Sequence, residues 1–382
     1  MDWHKHAENL AAKLDLSAEW KAAFAAIPRH VFVPRFFVNR PEVGWVAIDQ
    51  SDADYLDQVY ATEALITQLD GDPGAWDKLR KEGVHIGGHV TSSSSAPGLM
   101  AVMLDALQAE PGMTALEVGT GTGYNAAILC NRLGDEYVTT VDIDAELVES
   151  ARHRLAGLGY HPTCAVTDAT VAVPNGPYDR LIATVGIRRV PPYWLTAVKP
   201  GGLILANLYS DLASDAIFAL TVNDAGIASG HAPIGGTFMP TRDNIMPFNF
   251  TLHDNAEGER NRTSLSGDSL SEFGPFYLFV SLIMRDVQLY YFPTSTGTLR
   301  PGLLGRDRSW AYEQDGTAVH GGPRHLWAEL ETVRTLWQDY GRPGRDRLGL
   351  TVAKDRQSLW IDSPEDVIQA EIDAVTVDHS VE

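Results

Sequence analysis

The middle of the chain alternates short apolar runs with longer amphipathic stretches. The apolar runs are TALEV, YVTTV, TCAV, YDRLIAT and GGLILANL, and the amphipathic stretches YNAAILCNRL and ELVESARHRLAGL lie between the first three. In the second amphipathic stretch, one helical face carries Leu147, Ala151, Leu155 and Leu158. This alternation predicts βαβ units, and hence an α/β, doubly wound core in which helices cover both faces of a parallel sheet.

The two flanks of this region have different patterns. Residues 3 to 26 show helical periodicity, which predicts a helical N-terminal segment over residues 1–80. A polar Ser/Asn/Gly-rich stretch after about residue 242 indicates a linker, so the core is placed at 81–242 and an appended α+β C-terminal domain with an acidic tail at 243–382. In that domain we predict strands at FYLFVSLI and VQLYYF, a helix at HLWAELETVRTLWQDYG and a hairpin at LGLTVAKDRQSLWID.

Composition excludes several classes of protein. With 382 residues, 44% hydrophobic and 21% charged, the chain can bury a core and has no signature of disorder. A net charge of −20 repels phosphate backbones, so no nucleic-acid partner is expected. The two cysteines, Cys130 and Cys164, fit a reduced compartment. No apolar stretch approaches the ~18 residues of a membrane span and the N-terminus lacks a signal-peptide pattern, so we expect a cytoplasmic protein without a membrane partner.

The strongest chemical signal is a glycine-rich turn between a predicted strand and a predicted helix. Its residues are Glu117, Gly119, Thr120, Gly121 and Gly123. Glycines here allow a tight turn and let a ligand approach backbone N–H groups at the start of a helix. A dinucleotide fingerprint would require glycine or alanine where Tyr124 stands, which disfavours NAD. An acid followed by three alternating glycines is instead typical of the loop that binds S-adenosyl-L-methionine in methyltransferases.

Two further acids follow the next predicted strands. Asp142, followed by Ile143, ends the second strand, and Asp168, followed by Ala169, comes just after the third. Asp142 is placed to accept both ribose hydroxyls, and Asp168 to reach the adenine amine. A single acid after a strand is more often a helix cap, but three acids at the carboxyl ends of adjacent strands indicate a cofactor site.

Three blocks of this region resemble a known family. HVTSSSSAPGLMAVMLDAL, ALEVGTGTGYNAAIL and YDRLIATVGIRRVPPYWLTAVKPGGLILANL are similar to the protein-L-isoaspartate O-methyltransferases, over about residues 55 to 242. The resemblance implies a Rossmann-like, S-adenosylmethionine-dependent methyltransferase core. It also implies that the family's Thr-x-Ser-x-Pro element, which meets the methyl donor and the substrate carboxylate, corresponds to Ser93, Ser94 and Ser95 before Pro97.

The sequence departs from that family at one further position. The family's Tyr-x-Asp becomes Tyr60-Ala-Thr62, which puts the role of its aspartate in doubt and suggests a different substrate. Outside the core, WKAAFAAIPRHVFVP, GTFMPTR and WQDYGRPGRDRLGLTV look like the stand-alone methyltransferases of ribosomal peptide biosynthesis, of the graspetide and lanthipeptide kinds. This resemblance implies a modified, macrocyclic precursor peptide as partner, in which a methylated aspartate collapses to an aspartimide (succinimide).

Other interpretations remain open at this level. The core alone fits a general protein-L-isoaspartate repair methyltransferase, and the altered serine element fits a noncatalytic cofactor-binding scaffold. Methylation of a small-molecule hydroxyl is disfavoured because no catalytic histidine or metal cluster is apparent, and no metal is expected. The C-terminal aromatic residues either anchor a peptide or form the core of their own domain; they include Trp310, Tyr312, Trp327, Trp337 and Trp360.

Overall fold

The computed structural model describes residues 2–40, 43–83, 88–242, 258–294 and 298–369. The chain divides into two compact units, the first formed by the described residues of Met1–Val185, Pro191–Ala206 and Ala219–Ala228. The second contains those of Gly186–Val190, Asn207–Phe218 and Ser229–Glu382. Because the chain passes between the units several times, cuts at residues 80 and 242 do not reproduce this division. The predicted acidic tail beyond residue 369 lies outside the described residues.

The first unit begins with helices, but an antiparallel sheet soon follows. Helices α1 (Trp3–Lys13), α2 (Ala18–Ala26) and α3 (Arg29–Phe32) precede strands β1 (Arg35–Arg40) and β2 (Gly44–Asp49). Helix α4 (Tyr55–Val59), strand β3 (Leu65–Leu69), helix α5 (Ala75–Glu82) and strand β4 (Val90–Ser94) come next, and the strand order is β2-β1-β3-β4.

The prediction of a helical segment over residues 1–80 is therefore wrong for the strands β1, β2 and β3. The physical reason is visible in one apolar cluster. Alternate side chains of β1 and β2 pack with side chains from β3 and α5, which only a pleated strand pair allows. The buried members of this cluster are Phe37, Trp45, Ala47, Leu69, Trp76 and Leu79.

The predicted α/β core is confirmed in the rest of the first unit. Its elements are α6 (Pro97–Ala106), β5 (Ala115–Val118), α7 (Tyr124–Leu133), β6 (Val138–Asp142), α8 (Ala145–Gly157), β7 (Thr163–Val166), β8 (Tyr178–Ile187), α9 (Trp194–Ala197), β9 (Val198–Leu208) and β10 (Ile217–Val222). The strand order is β7-β6-β5-β8-β9-β10, and β5 pairs in parallel with both β6 and β8. All four residues of β5 are buried, as expected for a strand covered by helices on both faces.

The second unit is a mixture of sheets and helices. It contains β11 (Ala228–His231), β12 (Glu259–Arg262), α10 (Pro275–Ile283), β13 (Val287–Pro293), β14 (Leu299–Gly305), β15 (Trp310–Gln314), β16 (Thr317–Gly321), α11 (Leu326–Asp339), β17 (Leu348–Val352), β18 (Gln357–Ile361) and β19 (Val367–Gln369). An antiparallel sheet has the order β12-β16-β15-β14-β13, and β11, β17, β18 and β19 are neighbours in that order. The predicted final helix and hairpin are present as α11 and β17–β18.

One prediction in this unit is wrong. The run FYLFVSLI is the helix α10 rather than a strand. An apolar run without periodicity fits a buried helix as well as a buried strand, and Pro275 at the first turn favours the helix. Side chains from Tyr277 to Leu282 are all buried, which accounts for the missing polar face.

The aromatic residues of the second unit divide into core and surface. Trp310, Trp327 and Trp360 are buried, so they form the core of the unit. Among the described residues of this unit, the exposed aromatic side chains are those of Phe273, at 75%, and Tyr291, at 46%. None of the helices in the described ranges has both the length and the apolar character needed to cross a membrane.

Candidate active site

The glycine-rich turn connects β5 to α7 at the carboxyl end of the parallel sheet. Gly119, Gly121 and Gly123 all have positive φ, at 102°, 49° and 87°. A Cβ on Gly119 would lie 2.7 Å from Thr184 Oγ1, and one on Gly123 would lie 2.9 Å from Ala151 Cβ. The close packing and the left-handed backbone together require glycine at these positions. Glycine therefore lets the turn pack closely against Thr184 and Ala151, and the approach of a ligand to its backbone stays a prediction.

Glu117 lies buried beneath this turn, with 1% of its surface exposed. Its Oε1 accepts a hydrogen bond from Asn125 Nδ2 at 2.7 Å, and its Oε2 accepts one from Thr140 Oγ1 at 2.7 Å. Thr140 Oγ1 is also 2.7 Å from Thr120 Oγ1. Burial raises the pKa of Glu117 to about 7, against the opposing effect of these two hydrogen bonds. The carboxyl group links β5, β6 and α7 under the turn.

Asp142 is the last residue of β6 and lies beside the glycine turn. Its Oδ2 accepts a hydrogen bond from the Gly121 N–H at 3.0 Å, and its Oδ1 accepts one from the Asp144 N–H at 3.1 Å. These contacts fix the orientation of the carboxylate at the edge of the sheet. The neighbouring Ile143 is 54% exposed, although it is apolar. An oriented acid next to an exposed apolar side chain matches the two needs of a nucleoside, ribose hydroxyls and an aromatic base.

Asp168 comes two residues after the end of β7 and is engaged locally. Its Oδ1 accepts hydrogen bonds from the Thr170 N–H at 2.8 Å and from Thr170 Oγ1 at 2.6 Å. Ala169 is buried, and its carbonyl accepts a hydrogen bond from Trp194 Nε1 at 2.7 Å. Asp168 thus stabilises its own turn, the role that a lone acid after a strand most often has. Its contact with adenine, and that of Ala169, stay predictions.

The serine run forms strand β4 rather than a loop and lies against the glycine turn. A Cβ on Gly121 would be 3.4 Å from the Ser93 carbonyl oxygen and 3.9 Å from Ser92 Oγ. The strand ends at Ser94, and Pro97 begins α6 as predicted. Ser94 is buried, whereas Ser93 and Ser95 are partly exposed. The structure therefore brings the serine element and the glycine turn together, although they are well separated in the sequence.

Sequence reasoning missed Arg29, which holds the end of the serine strand in place. Its guanidinium is fully buried and donates to the carbonyl oxygens of Ser94 at 3.5 Å and Ser95 at 3.3 Å, and to Ser94 Oγ at 3.4 Å. It also donates to the carbonyl oxygens of Val59 and Ala61 at 2.8 and 3.0 Å. Burial lowers its pKa to about 10. The one available signal was a charged residue inside the apolar run IPRHVFV.

The same arginine fixes the segment in which the sequence departs from the resembled family. Tyr60 is buried, and its hydroxyl is 2.8 Å from His30 Nδ1. Burial lowers the pKa of His30 and raises that of Tyr60, so both groups stay neutral near pH 7. Thr62, two residues later, is exposed. The position where the family has an aspartate is therefore at the surface of a rigidly held loop.

These residues fit S-adenosyl-L-methionine as the cofactor. The glycine turn brings the main chain to the carboxyl end of the sheet, where the Gly121 N–H orients the carboxylate of Asp142 and Ile143 stands exposed at the next strand end. The serine strand borders this turn through Ser93. Such an arrangement can hold a nucleoside-linked ligand close to the hydroxyl and backbone groups of residues 93–95.

Comparison with known sequences gives the same family as the motifs. Residues 78–240 match the family model described as Protein-L-isoaspartate(D-aspartate) O-methyltransferase. A protein-L-isoaspartate O-methyltransferase of Ignicoccus hospitalis is 41% identical over 114 residues, which cover 29% of this chain and 54% of that relative. Protein-L-isoaspartate O-methyltransferase 1 of a Polaromonas species is 33% identical over 171 residues, covering 43% and 64%. The chain spans about half the length of the first of these relatives.

A solved structure shares the fold over most of the chain. It is described as a protein-L-isoaspartate O-methyltransferase, with a TM-score of 0.55 and 22% sequence identity. The match covers 94% of this chain and 100% of the other, so it reaches into the region that follows the methyltransferase core. At this identity the likeness establishes the fold and leaves the substrate to be argued from the site.

Proposed function

Because the chain belongs, through residues 78–240, to the protein-L-isoaspartate O-methyltransferase family, we propose that it is an S-adenosyl-L-methionine-dependent carboxyl O-methyltransferase. We further propose that its acceptor is an aspartate side chain in a cyclised, ribosomally synthesised precursor peptide. The observation that carries the proposal is the contact between the serine strand and the glycine turn, where Ser93 borders Gly121. This contact supports an acceptor site next to the cofactor site.

The chemistry needs positioning more than proton transfer. When bound, the cofactor supplies a methyl group on a sulfonium as the electrophile. An aspartate side chain, with an ordinary pKa of about 3.9, is already ionised at neutral pH, so no general base is required. The partly exposed Ser95 would donate a hydrogen bond to one carboxylate oxygen and leave the other oxygen directed at the methyl group. Ser93 and Ser94 would support this arrangement, because Arg29 fixes the strand end.

The methyl ester then determines the product. It is a better electrophile than the carboxylate, so the backbone amide nitrogen of the next peptide residue attacks the ester carbonyl. The new C–N bond closes a five-membered succinimide, the amide proton is lost, and methanol leaves. This step is intrinsic to the peptide, and no residue of the chain is assigned to it.

Two features support a shaped peptide over a general repair substrate. Thr62 is exposed at the position where the resembled family has an aspartate, so a neutral hydroxyl replaces a carboxylate at this surface. The second unit adds exposed aromatic side chains, Phe273 and Tyr291, of the type that anchors protein partners. We propose that this region engages the precursor peptide.

Repair of isoaspartyl residues is the second candidate function. It is favoured by the relatives of Ignicoccus hospitalis and Polaromonas, which are both described as protein-L-isoaspartate O-methyltransferases. The match to the solved structure also extends beyond the core, so the additional region is part of a shared fold. A second unit alone therefore does not distinguish the two substrates.

The test is a mass-spectrometric turnover assay with matched peptides. An aspartate-containing precursor peptide, cyclised by an ATP-grasp ligase, is compared with its linear form and with a linear isoaspartyl peptide. We expect the cyclised precursor to gain one methyl group and then to show a net loss of water. Methylation of the isoaspartyl peptide alone would establish repair instead, and cofactor binding without turnover on any peptide would establish the scaffold interpretation.

A further inference from the structure

A cluster of metal-ligating side chains lies in the second unit. Glu259, His320 and His325 each offer one ligand atom, and these atoms lie within 4.8 Å of one another. Glu259 and His320 face each other directly across the antiparallel pair β12–β16, and His325 immediately precedes α11. Three separate elements therefore bring two imidazoles and one carboxylate to one place.

From this cluster we propose that the second unit binds one divalent transition-metal ion of the zinc class. Two histidines and one glutamate form a donor set that zinc uses in proteins, with a fourth position left for water. Tetrahedral zinc with bonds of about 2 Å needs its ligand atoms about 3.3 Å apart, so the side chains must close in by up to about 1.5 Å. Glu259 and His325 are exposed, and rotation of their side chains brings this about without moving the buried His320.

The surroundings of the cluster orient its ligands. The side-chain amide of Asn261 lies 2.9 Å from His320 Nε2. With its oxygen turned towards the ring, this amide accepts a hydrogen bond from Nε2–H and leaves Nδ1 as the ligand atom. An outer hydrogen bond on the second ring nitrogen is the usual device that fixes a metal-ligating histidine. The rings of His320 and His325 are already in contact, with centroids 4.7 Å apart. The contact with Asn261 therefore orients His320, which is the buried ligand of the three.

The segment that carries His325 is also fixed before any metal binds. The Arg324 N–H donates to Ser309 Oγ at 2.8 Å, and its guanidinium pairs with Glu329 at 2.6 Å and with Asp286 at 2.5 Å. A rigid backbone limits the entropy that binding must remove.

The ion would cross-link the edge strand of the antiparallel sheet to neighbouring elements. Strand β12 is an edge strand, and all four of its residues are exposed, so few side-chain contacts hold it. A metal that joins Glu259 to the end of β16 and the start of α11 would stabilise the folded state by mass action. The site is separate from the glycine turn and needs no part of the methyl-transfer chemistry.

The experiment is a calorimetric titration of the metal-free full chain with Zn²⁺. We expect one ion per chain, with a dissociation constant in the micromolar range or below and a thermal unfolding midpoint that rises with Zn²⁺. Co²⁺ should give the intense visible absorption of a tetrahedral site, and Mg²⁺, which prefers oxygen ligands, should not bind.

Substitutions of the two exposed ligands separate the site from adventitious binding. His325→Ala and Glu259→Gln should each weaken Zn²⁺ affinity at least tenfold, whereas His153→Ala, an exposed histidine on α8, should leave it unchanged. The proposal is overturned if the full chain shows no saturable Zn²⁺ binding. It is equally overturned if His153→Ala weakens binding as much as His325→Ala, or if both ligand variants retain the original affinity.

Discussion

At the scale of single residues, the backbone of Gly119 determines whether a ligand can enter the turn. Gly119→Ala would place its Cβ 2.7 Å from Thr184 Oγ1 at a φ of 102°. We expect at least a tenfold loss of S-adenosylhomocysteine affinity in calorimetry, because the turn must shift to relieve the clash. Gly112→Ala is the matched control, since Gly112 has a φ of 87° but no atom within 4 Å of an added Cβ. Equal losses in both variants would contradict this role for the turn.

The buried carboxyl of Glu117 predicts a pH-dependent stability. Its pKa is about 7 in the folded chain against an ordinary value of 4.5, so the unfolded chain loses its proton first as pH rises. This contribution to stability is present below pH 4.5, falls between pH 4.5 and about 7, and is constant above that range. Relative to wild type, Glu117→Gln should gain up to about 3 kcal/mol of unfolding free energy across this window.

Urea denaturation at several pH values measures this difference. Other groups titrate in both proteins and cancel in the comparison. Glu146→Gln, which changes an exposed glutamate in the first turn of α8, is the control and should show no such trend. If the gap between Glu117→Gln and wild type stays constant from pH 4.5 to 7, the carboxyl is not held in its neutral form.

Only part of this residue-level picture was available from the sequence. The glycines and Asp142 were found because their spacing follows from the strand-turn-helix geometry that they serve. Arg29 was missed because arginine is usually exposed, and its partners are carbonyl oxygens whose positions depend on the folded backbone. Asp168 was correctly placed after its strand, but its hydrogen bonds to Thr170 reflect local turn geometry.

At the scale of secondary-structure elements, the position of the serine strand β4 depends on Arg29 of α3, which donates hydrogen bonds to the end of that strand. Arg29→Lys keeps the positive charge but loses the planar fork that reaches both Ser94 and Ser95. We expect kcat to fall by about tenfold to hundredfold, because a displacement of about 1 Å at the acceptor site costs that much. The affinity for S-adenosylhomocysteine should change less than threefold.

The control for Arg29→Lys is Arg152→Lys, which changes an exposed arginine on α8. Thermal unfolding is measured in parallel, because a buried arginine also supports the fold. A purely structural role would lower the unfolding midpoint and leave kcat of the folded enzyme unchanged, which would contradict the positioning role.

The elements themselves were predictable where one periodicity dominated. Strands β5, β6 and β8 are buried apolar runs that alternate with amphipathic helices, and the sequence pattern identified them all. The pattern failed for α10, whose run is apolar on every face, and for β1 and β2, whose buried side chains pack against α5 and β3. In both cases burial by distant elements, rather than local periodicity, determined the structure.

At the scale of the whole molecule, the second unit is proposed to engage the substrate through its exposed aromatic residues. Tyr291→Ala should raise KM for the cyclised precursor at least fivefold and leave kcat unchanged, because it removes a docking contact and no group assigned to the reacting carboxylate. Val43→Ala, at a similar exposure of 43%, is the control. An unchanged KM in Tyr291→Ala would remove this residue from the docking surface.

The aromatic anchors could not be chosen from the sequence. Trp310, Trp327 and Trp360 were the obvious candidates, yet all three are buried in their own unit. Large aromatic residues serve cores and interfaces equally well, and only the folded structure separates the two uses. The division of the chain into two interleaved units was likewise beyond a linear pattern, because segments before residue 242 belong to the second unit.

The central claim is that the turn from Glu117 to Gly123 binds the methyl donor beside the serine strand. A crystal structure of the full chain with S-adenosylhomocysteine tests it most directly. We predict that the coproduct contacts the backbone of residues 119–123 and the carboxylate of Asp142, with Ser95 Oγ facing its sulfur. A coproduct bound elsewhere, or a Ser95 side chain turned away from the sulfur, would contradict the account.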